Sequence, residues 1–423
     1  MPSERTENLA AILHAIRRSD VMTQARLMQE VGLGRSVVAA RVAELEAAGL
    51  VTNTSVGPST GGRPPRHLRL RAEAGIVIGA NIGATGMDIG IADLSGRVIA
   101  RTEEAIDVTE GPNVVLEHVE RVADDLLAQH GDGRQVWGVG VGVPGPVEFA
   151  TGLPVAPPIM PGWDGYPIRE RFSRQWSAPV WVDNDVNLLA LGELRTNPAA
   201  TTAQDVLYVK IGTGIGAGLV SGGRLHRGTN GCAGDIGHVA VAEAENVICR
   251  CGNAGCLEAL AGGAALAREG RQLAESGRSA VMADLLSSTG HLTAADVSAA
   301  AKRGDAAARA LLARAGRLVG GTLATLVSFY NPSLVVLGGG VVSAGDHVLA
   351  AIRESVYRRS LPLATRTLRI EPASSDDAAG LAGAVHLVLD ELFEPHRLGL
   401  WLPDSTPAGR PELAATAEIR PAA

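Results

Sequence analysis

The sequence predicts a three-helix module with a β-wing, followed by an α/β body built of two related halves. Three observations carry this. The apolar spacing changes near residue 76, from a helical period to short strands broken by glycine. A glycine-rich hairpin rhythm occurs at 76–96 and again from Val206, about 130 residues later, which argues for a duplicated unit with a phosphate-facing turn in each half. The charge divides too: residues 1–72 hold ten Arg against six Asp or Glu, a balance of +4, leaving −11 for the rest of a chain whose net charge is −7. A basic module joined to an acidic body points to nucleic acid at one end. At 423 residues the chain exceeds one ordinary core. The expected divisions are 1–72, a first lobe 73–200, a second lobe 201–395, and a Pro- and Ala-rich tail 396–423 expected to be disordered.

The first helix is read from Leu9, Ile12, Leu13 and Ile16, which share one face. A second fits Gln24 to Val31 with Thr23 as its N-cap, and after Gly32-Leu33-Gly34 a third runs from Arg35 to about Ala48, ended by Gly49. Val38, Val42 and Leu45 line its inner face, leaving Arg35, Ser36, Val37, Ala40 and Arg41 where a recognition helix meets bases and phosphates. A packing module with no DNA role is the alternative. Leu50-Val51-Thr52 and Leu68-Arg69-Leu70 read as wing strands around a Gly/Pro stretch whose Arg63 and Arg66 suit a narrow minor groove, or form a solvated loop. Residues 49–72 contain no acidic side chain, which favours DNA and a winged helix-turn-helix.

In the body, Val114, Val115, His118, Val119, Val122 and Leu126 mark a helix, and Val136 to Val143 a buried strand ending at Pro144-Gly145-Pro146. Pro179 to Val182 is a further strand, running into Asp183-Asn184-Asp185. That places Asp185 at a strand's carboxyl end, where α/β sheets bind ligands. There it is either a base for a sugar hydroxyl attacking a phosphoryl group or a cap for the next helix.

His238, Cys249, Cys251 and Cys256 fall within nineteen residues of a chain that has only four cysteines, the other being Cys232. The C-x-C-x4-C spacing with an upstream His fits a tetrahedral Cys3His zinc site. All four positions would be filled by protein, so the zinc would be structural. Reduced thiols without a metal are the other reading. Asp235 and Glu258 flank these ligands, a set of acceptors suited to sugar hydroxyls, although Glu258 alone also suits a helix start. The sequence shows no basic-then-apolar leader, and the apolar run Leu318–Tyr330 is short and interrupted. A cytoplasmic protein with reduced thiols and no membrane partner is expected.

The motifs GVPGP, DNDVN, GTGIGAG, GDIGH, CRCGNAGCLE and LGGG, in that order, resemble the ROK family of bacterial sugar kinases and repressors, from about residue 8 to 390. The resemblance implies an actin-like, sugar-kinase-type (RNase H-like) pair of α/β lobes with the sugar between them. By it, Asp185 takes the catalytic-base position, and Asn184, Asp185, Asp235, His238 and Glu258 the sugar-contacting positions. His238, Cys249, Cys251 and Cys256 take the zinc positions. Gly83 and Thr85, Gly212, Thr213 and Gly214, and Gly338, Gly339 and Gly340 take the nucleotide-side positions.

Three departures bear on activity. Family kinases carry Asp-x-Gly-Gly-Thr in the first phosphate turn, whereas this chain has Asn81-Ile82-Gly83-Ala84-Thr85, and a missing carboxylate weakens metal-nucleotide binding. Asp235 replaces the usual Glu. The family's kinases lack the basic N-terminal module and its repressors have it. The expectation is therefore a repressor that binds operator DNA and a sugar or sugar phosphate effector, as a homodimer or homotetramer by the two-fold logic of such readers. An ATP-dependent sugar kinase with an attached DNA-binding domain is the competing expectation.

Overall fold

The computed structural model describes residues 2–19, 22–55, 66–241, 247–343, 346–374 and 378–415. The chain forms two compact units, Met1–Asp185 with Gly380–Ala423, and Val186–Ala379.

The first unit opens with α1 (Glu4–Arg17), capped by the Ser3 side chain, which accepts from the Thr6 amide. Strand β1 (Met22–Thr23) leads into α2 (Gln24–Val31), where Thr23 caps the Arg26 amide and Gly32 ends the helix at φ 67°. Helix α3 (Arg35–Ala47) follows. Strands β2 (Val51–Ser55) and β3 (Arg66–Leu70) pair antiparallel with Val51 opposite Leu70, and β1 adds to β3 as a third strand. Leu9, Ile12, Leu13, Ile16, Leu27, Val38, Val42, Leu45, Leu50 and Leu68 are buried and form the core of this winged helix-turn-helix.

Next come β4 (Ile76–Ile82), β5 (Gly86–Ala92), β6 (Val98–Ala105), α4 (Pro112–His130), β7 (Val136–Val143), the ribbon β8 (Val147–Glu148) and β9 (Leu153–Pro154), α5 (Ile168–Trp176) and β10 (Val180–Asn184). The sheet order is β10-β7-β4-β5-β6, with β4, β5 and β6 antiparallel and β4, β7 and β10 parallel. Helix α4 buries Val115, Leu116, Val119, Val122, Ala123 and Leu126 against it. Its expected face is rotated by one residue: Val114 is exposed, and His118 lies at the margin on Glu104.

The second unit begins with α6 (Asp185–Thr196) and α7 (Pro198–Thr201), then β11 (Val206–Ile211), β12 (Ile215–Ser221) and β13 (Arg224–His226). After the cysteine loop come α8 (Leu257–Ala261), α9 (Gly263–Glu275), α10 (Ala280–Thr289), α11 (Ala294–Lys302), α12 (Ala306–Tyr330), β14 (Leu334–Gly338), α13 (Gly340–Ser343), α14 (Asp346–Arg359), α15 (Pro362–Thr365) and β15 (Arg369–Pro372). The sheet order is β13-β12-β11-β14-β15, three antiparallel strands extended by two parallel ones. The same plan builds the first sheet, so the duplicated hairpin rhythm reports a duplicated fold. Helix α12 is longer than the apolar run read from sequence and, by length and composition, could cross a membrane. Leu311, Val319, Leu323 and Val327 on it are buried in this unit's core, and Gly316 and Gly320 let α14 approach closely.

The chain then returns to the first unit as α16 (Ala379–Leu392) and α17 (Pro395–Trp401). In the strands, Ile78, Ala80, Val139 and Val141 face α4, while Gly79, Gly138 and Gly140 between them face α16. A Cβ at Gly140 would lie 2.1 Å from the Ala384 carbonyl oxygen, so these glycines set how closely the helix packs. The second lobe expected at 201–395 thus ends at Ala379, and the first, expected at 73–200, ends at Asp185 and regains a helix. The tail expected to be disordered from 396 is folded through 415. Trp401 is fully buried and meets Trp137 edge-on at 5.4 Å, and Leu398, Leu402 and Leu413 are buried with it. Proline and alanine content concealed this set of apolar anchors; residues 416–423 lie outside the described residues.

Candidate functional site

The cysteine loop is a strand-like turn. Ala240 bridges Cys256 and Ile248 bridges Ala254, while the Cys249 amide donates to Asn253 and the Gly252 amide to Cys249. Gly252 and Gly255 take φ 90° and 85°, which reverses the chain tightly enough to gather the thiols. His238 Nδ1 lies 3.7 Å from Cys249 Sγ, and Cys251 Sγ lies 3.6 Å from Cys256 Sγ. One donor atom from each of His238, Cys249, Cys251 and Cys256 lies within 4.8 Å of the others. Thiolates about 2.3 Å from a tetrahedral ion stand roughly 3.8 Å apart, so these two separations match a metal-bound set and the soft donors are gathered closely enough to hold one. Burial pushes the Cys256 thiol up to about 12 and raises Cys249. Cys251 goes the other way: desolvation raises it, but hydrogen bonds from the Asn253 backbone and the neighbouring thiols outweigh that and lower it.

The His238 ring is shared between two surroundings. Nδ1 faces the cysteines, and Nε2 faces Asp235 Oδ1 at 3.8 Å. With Nδ1 on a metal, Nε2 would keep the proton and face Asp235 as a donor. Glu258 stands in the first turn of α8, and its Oε2 accepts from the Ile215 amide at 2.9 Å. Gly214 leaves it the room to do so, since a Cβ there would lie 2.3 Å from that oxygen. The second unit thus brings His238, Asp235, Glu258 and the three cysteines into one locality.

In the first unit, Asn184 ends β10 and Asp185 begins α6. Asn184 Nδ2 donates to the Gly145 carbonyl at 2.8 Å, tying DNDVN to GVPGP, and the Asn184 amide donates to Asp183. Asp183 and Asp185 are both buried. The Gly83 amide closes the β4–β5 turn on Gly86, next to Thr85. Sequence reasoning passed over Asp88, which pairs in register with Asn81 and is 8% exposed. An acid alternating into an apolar strand was the available signal.

The remaining glycines have packing roles. Carbonyls of Gly212 and Thr213 accept from Gly263 and Ala264 at the start of α9, and the Gly212 amide donates to Gly214. Gly338 makes room for the Tyr208 hydroxyl, and Gly339, at φ 91°, lies against the Ile211 backbone, with Gly340 opening α13.

On α3, Arg35, Ser36, Val37 and Ala40 are exposed. Arg41 is half-buried and paired with Glu44, which also accepts from Arg5 Nε at 2.9 Å. Arg63 lies outside the described residues, and Arg66 begins β3 opposite Ser55.

These features define a two-lobed α/β protein of the sugar-kinase type with a winged helix-turn-helix at its N-terminus. The ROK family model matches residues 77–391, and the winged helix-turn-helix DNA-binding model matches residues 5–52. The chain belongs to the ROK family. It is 28% identical over 393 residues to the xylose repressor of Caldicellulosiruptor bescii, covering 91% of this chain and 96% of the relative. It is 30% identical over 312 residues to a glucokinase of Halalkalibacterium halodurans, covering 74% and 94%. Its fold matches a crystal structure of a ROK family transcriptional regulator, a homologue of the E. coli MLC protein. That match has a TM-score of 0.81 and 22% identity, over 95% of this chain and 99% of that one.

Proposed function

We propose that this protein is a sugar-responsive transcriptional repressor, cytoplasmic and two-fold symmetric, whose winged module binds operator DNA. The carrying observation is that similarity to the xylose repressor runs through the DNA-binding module and the body together, whereas similarity to the glucokinase covers 74% of the chain. His238, Cys249, Cys251 and Cys256 would hold a structural zinc, whose part is to fix the loop that carries Asp235 and Glu258. Asp235, His238 and Glu258 offer acceptors and a donor to sugar hydroxyls, and Asn184 and Asp185 supply further polar groups. The bound sugar or sugar phosphate changes operator affinity by its preference for one of two conformations. Arg35, Ser36, Val37 and Ala40 meet the major groove, with Arg63 and Arg66 on the wing. Electrophoretic or anisotropy titration of a duplex selected from a random pool, with and without D-xylose and D-glucose, tests this. Duplex affinity unmoved by either sugar overturns it.

The retained Asp185 and the glucokinase relative favour a second reading, a sugar kinase bearing a DNA-binding module. Sugar-dependent ADP release abolished by Asp185→Asn would establish it. The repressor reading expects no such turnover, because Asn81 removes a carboxylate from the first phosphate turn.

A further inference from the structure

The chain leaves the first unit directly after β10 and re-enters it with α16, so the covalent connections to the second unit lie at residues 185–186 and 379–380. Inside the first unit both connecting elements meet one side chain. The Arg397 guanidinium carbon lies 5.9 Å from the ring centre of Trp181 on β10, four residues before Asp185. Its Nη1 is 2.6 Å from Glu391 Oε2 on α16, both side chains being under a tenth exposed, and its Nε donates to the Leu413 carbonyl. The neighbouring residue, Asp390, holds Arg17 of α1 at 3.0 Å, and Arg17 is 5% exposed and lies over the Phe393 ring at 5.7 Å. Thr6 packs against Gly399 of α17. From α1, Arg5 reaches Glu44 on the recognition helix α3.

We propose that Arg17 is a positioning residue. Through Asp390 it fixes the orientation of the DNA reader on the C-terminal helices and carries the sugar-dependent state of the body to α3. This rests on the repressor reading above. The chemistry favours a switch over a soft tether. Arg397 and Glu391 are an ion pair shut from water, and separating such a pair strands a buried charge, so the geometry that keeps it intact is strongly preferred. The Arg17 guanidinium lies over the Phe393 ring while pairing with Asp390, so two neighbours hold it at once. A displacement of α16 therefore bears on Arg397 through Glu391 and on Arg17 of α1 through Asp390. Contiguity alone is no proof of coupling, so the decisive quantity is the coupling itself.

The test measures duplex affinity of full-length wild type, Arg17→Ala, Asp390→Asn and the double variant, each with and without D-xylose and D-glucose. The probe is a duplex selected by the wild type from a random pool. Sugar affinity is measured separately by calorimetry. Allosteric factors are typically about 5- to 150-fold. The expected result is that each single variant brings the wild-type factor to within about twofold of unity, and the double variant does no more. Sugar binding should persist in all of them, because neither residue lies at the sugar site. By reciprocity the duplex should likewise cease to alter sugar affinity. A merely structural Arg17 would lower stability and duplex affinity equally with and without sugar, leaving the factor intact, and that outcome overturns the proposal. Asp390 is 32% exposed, so Asp390→Asn keeps the test alive if Arg17→Ala does not fold. Wild type insensitive to both sugars overturns the functional reading and this relay with it. A sensitive wild type with equally sensitive variants overturns the relay alone.

Discussion

Gly214→Ala separates the sugar site from the fold. An added Cβ would stand 2.3 Å from Glu258 Oε2 and 3.0 Å from its carboxyl carbon, while Gly214 lies outside the left-handed region, so alanine fits the backbone. Ordinary contact needs about 1 Å more, and the yielding atoms are the far end of a flexible side chain. Moving the carboxylate that far breaks its 2.9 Å bond from the Ile215 amide. A hydrogen bond to a charged group is worth about 1.5–3 kcal/mol. If Glu258 is a sugar acceptor, losing its pre-set position weakens binding by about 10- to 150-fold at 1.4 kcal/mol per tenfold. Gly237→Ala, next door, is the contrasting control. Its Cβ would meet the Ile215 backbone carbonyl at 2.2 Å, which cannot swing aside, so this variant should lose stability instead. Calorimetry with D-xylose and D-glucose, beside thermal melts and metal content, checks both. Wild-type sugar affinity in a folded Gly214→Ala protein would refute the placement of Glu258.

Removing metal with a chelator should lower the melting temperature and abolish the sugar response, with elemental analysis finding one ion per chain in untreated protein. Burial raises Cys249 and Cys256, so metal uptake must displace protons. Metal affinity should fall as pH falls, with proton release detectable by an indicator dye. The stripped protein has the opposite sign: a raised thiol stabilises the fold below its ordinary value of 9.0, and that contribution is lost as pH climbs toward about 12, visible in melts across that window. Arg35→Ala should reduce the salt slope of duplex binding by about 0.9 if it contacts one phosphate. Arg41→Ala should change it less, because Glu44 already neutralises that guanidinium. Trp401→Ala should cost about 3–5 kcal/mol in denaturant unfolding, since the ring is fully buried against Trp137. A Trp401→Ala protein of wild-type stability would mean the tail contributes nothing to the first unit.

What the sequence revealed and what it hid divide along contact distance. Thr23 as a cap, Gly32 as a stop, the wing strands and the His238–Cys256 cluster were legible because each is decided by residues within about one turn or one loop of its neighbours. The return of α16 to the first sheet was not, although Gly138 and Gly140 record it: a glycine in a strand announces that something approaches without saying what. The spacing that placed Arg41 on the outer side of α3 did not show its pairing with Glu44 three residues on, and the tail looked disordered because Trp401's partner is Trp137. Asp88 escaped because its significance depends on facing Asn81 across the hairpin.

The hidden contacts are also those that distinguish a regulator from a kinase with a DNA-binding appendage. The cysteine cluster, the glycine turns and Asp185 all lie within the residues that the ROK family model matches, and they say nothing about how a bound sugar would be felt at α3. An appendage needs only a linker after residue 72. Here α1 instead packs on α17, Arg17 reaches Asp390, and the last helices of the body serve as the floor of the reader. A rigid join of that kind makes the DNA-contacting face sensitive to small displacements of α16, as a free tether would not. The repressor reading therefore stands on the junction as much as on either part. Replacing residues 71–75 with a flexible Gly/Ser linker should leave DNA binding largely intact, because α1 remains docked through α17, whereas breaking the Arg17 pair should not leave the sugar response intact. If the linker replacement erased the response and the Arg17 variants kept it, the signal would run through the wing and not through α1.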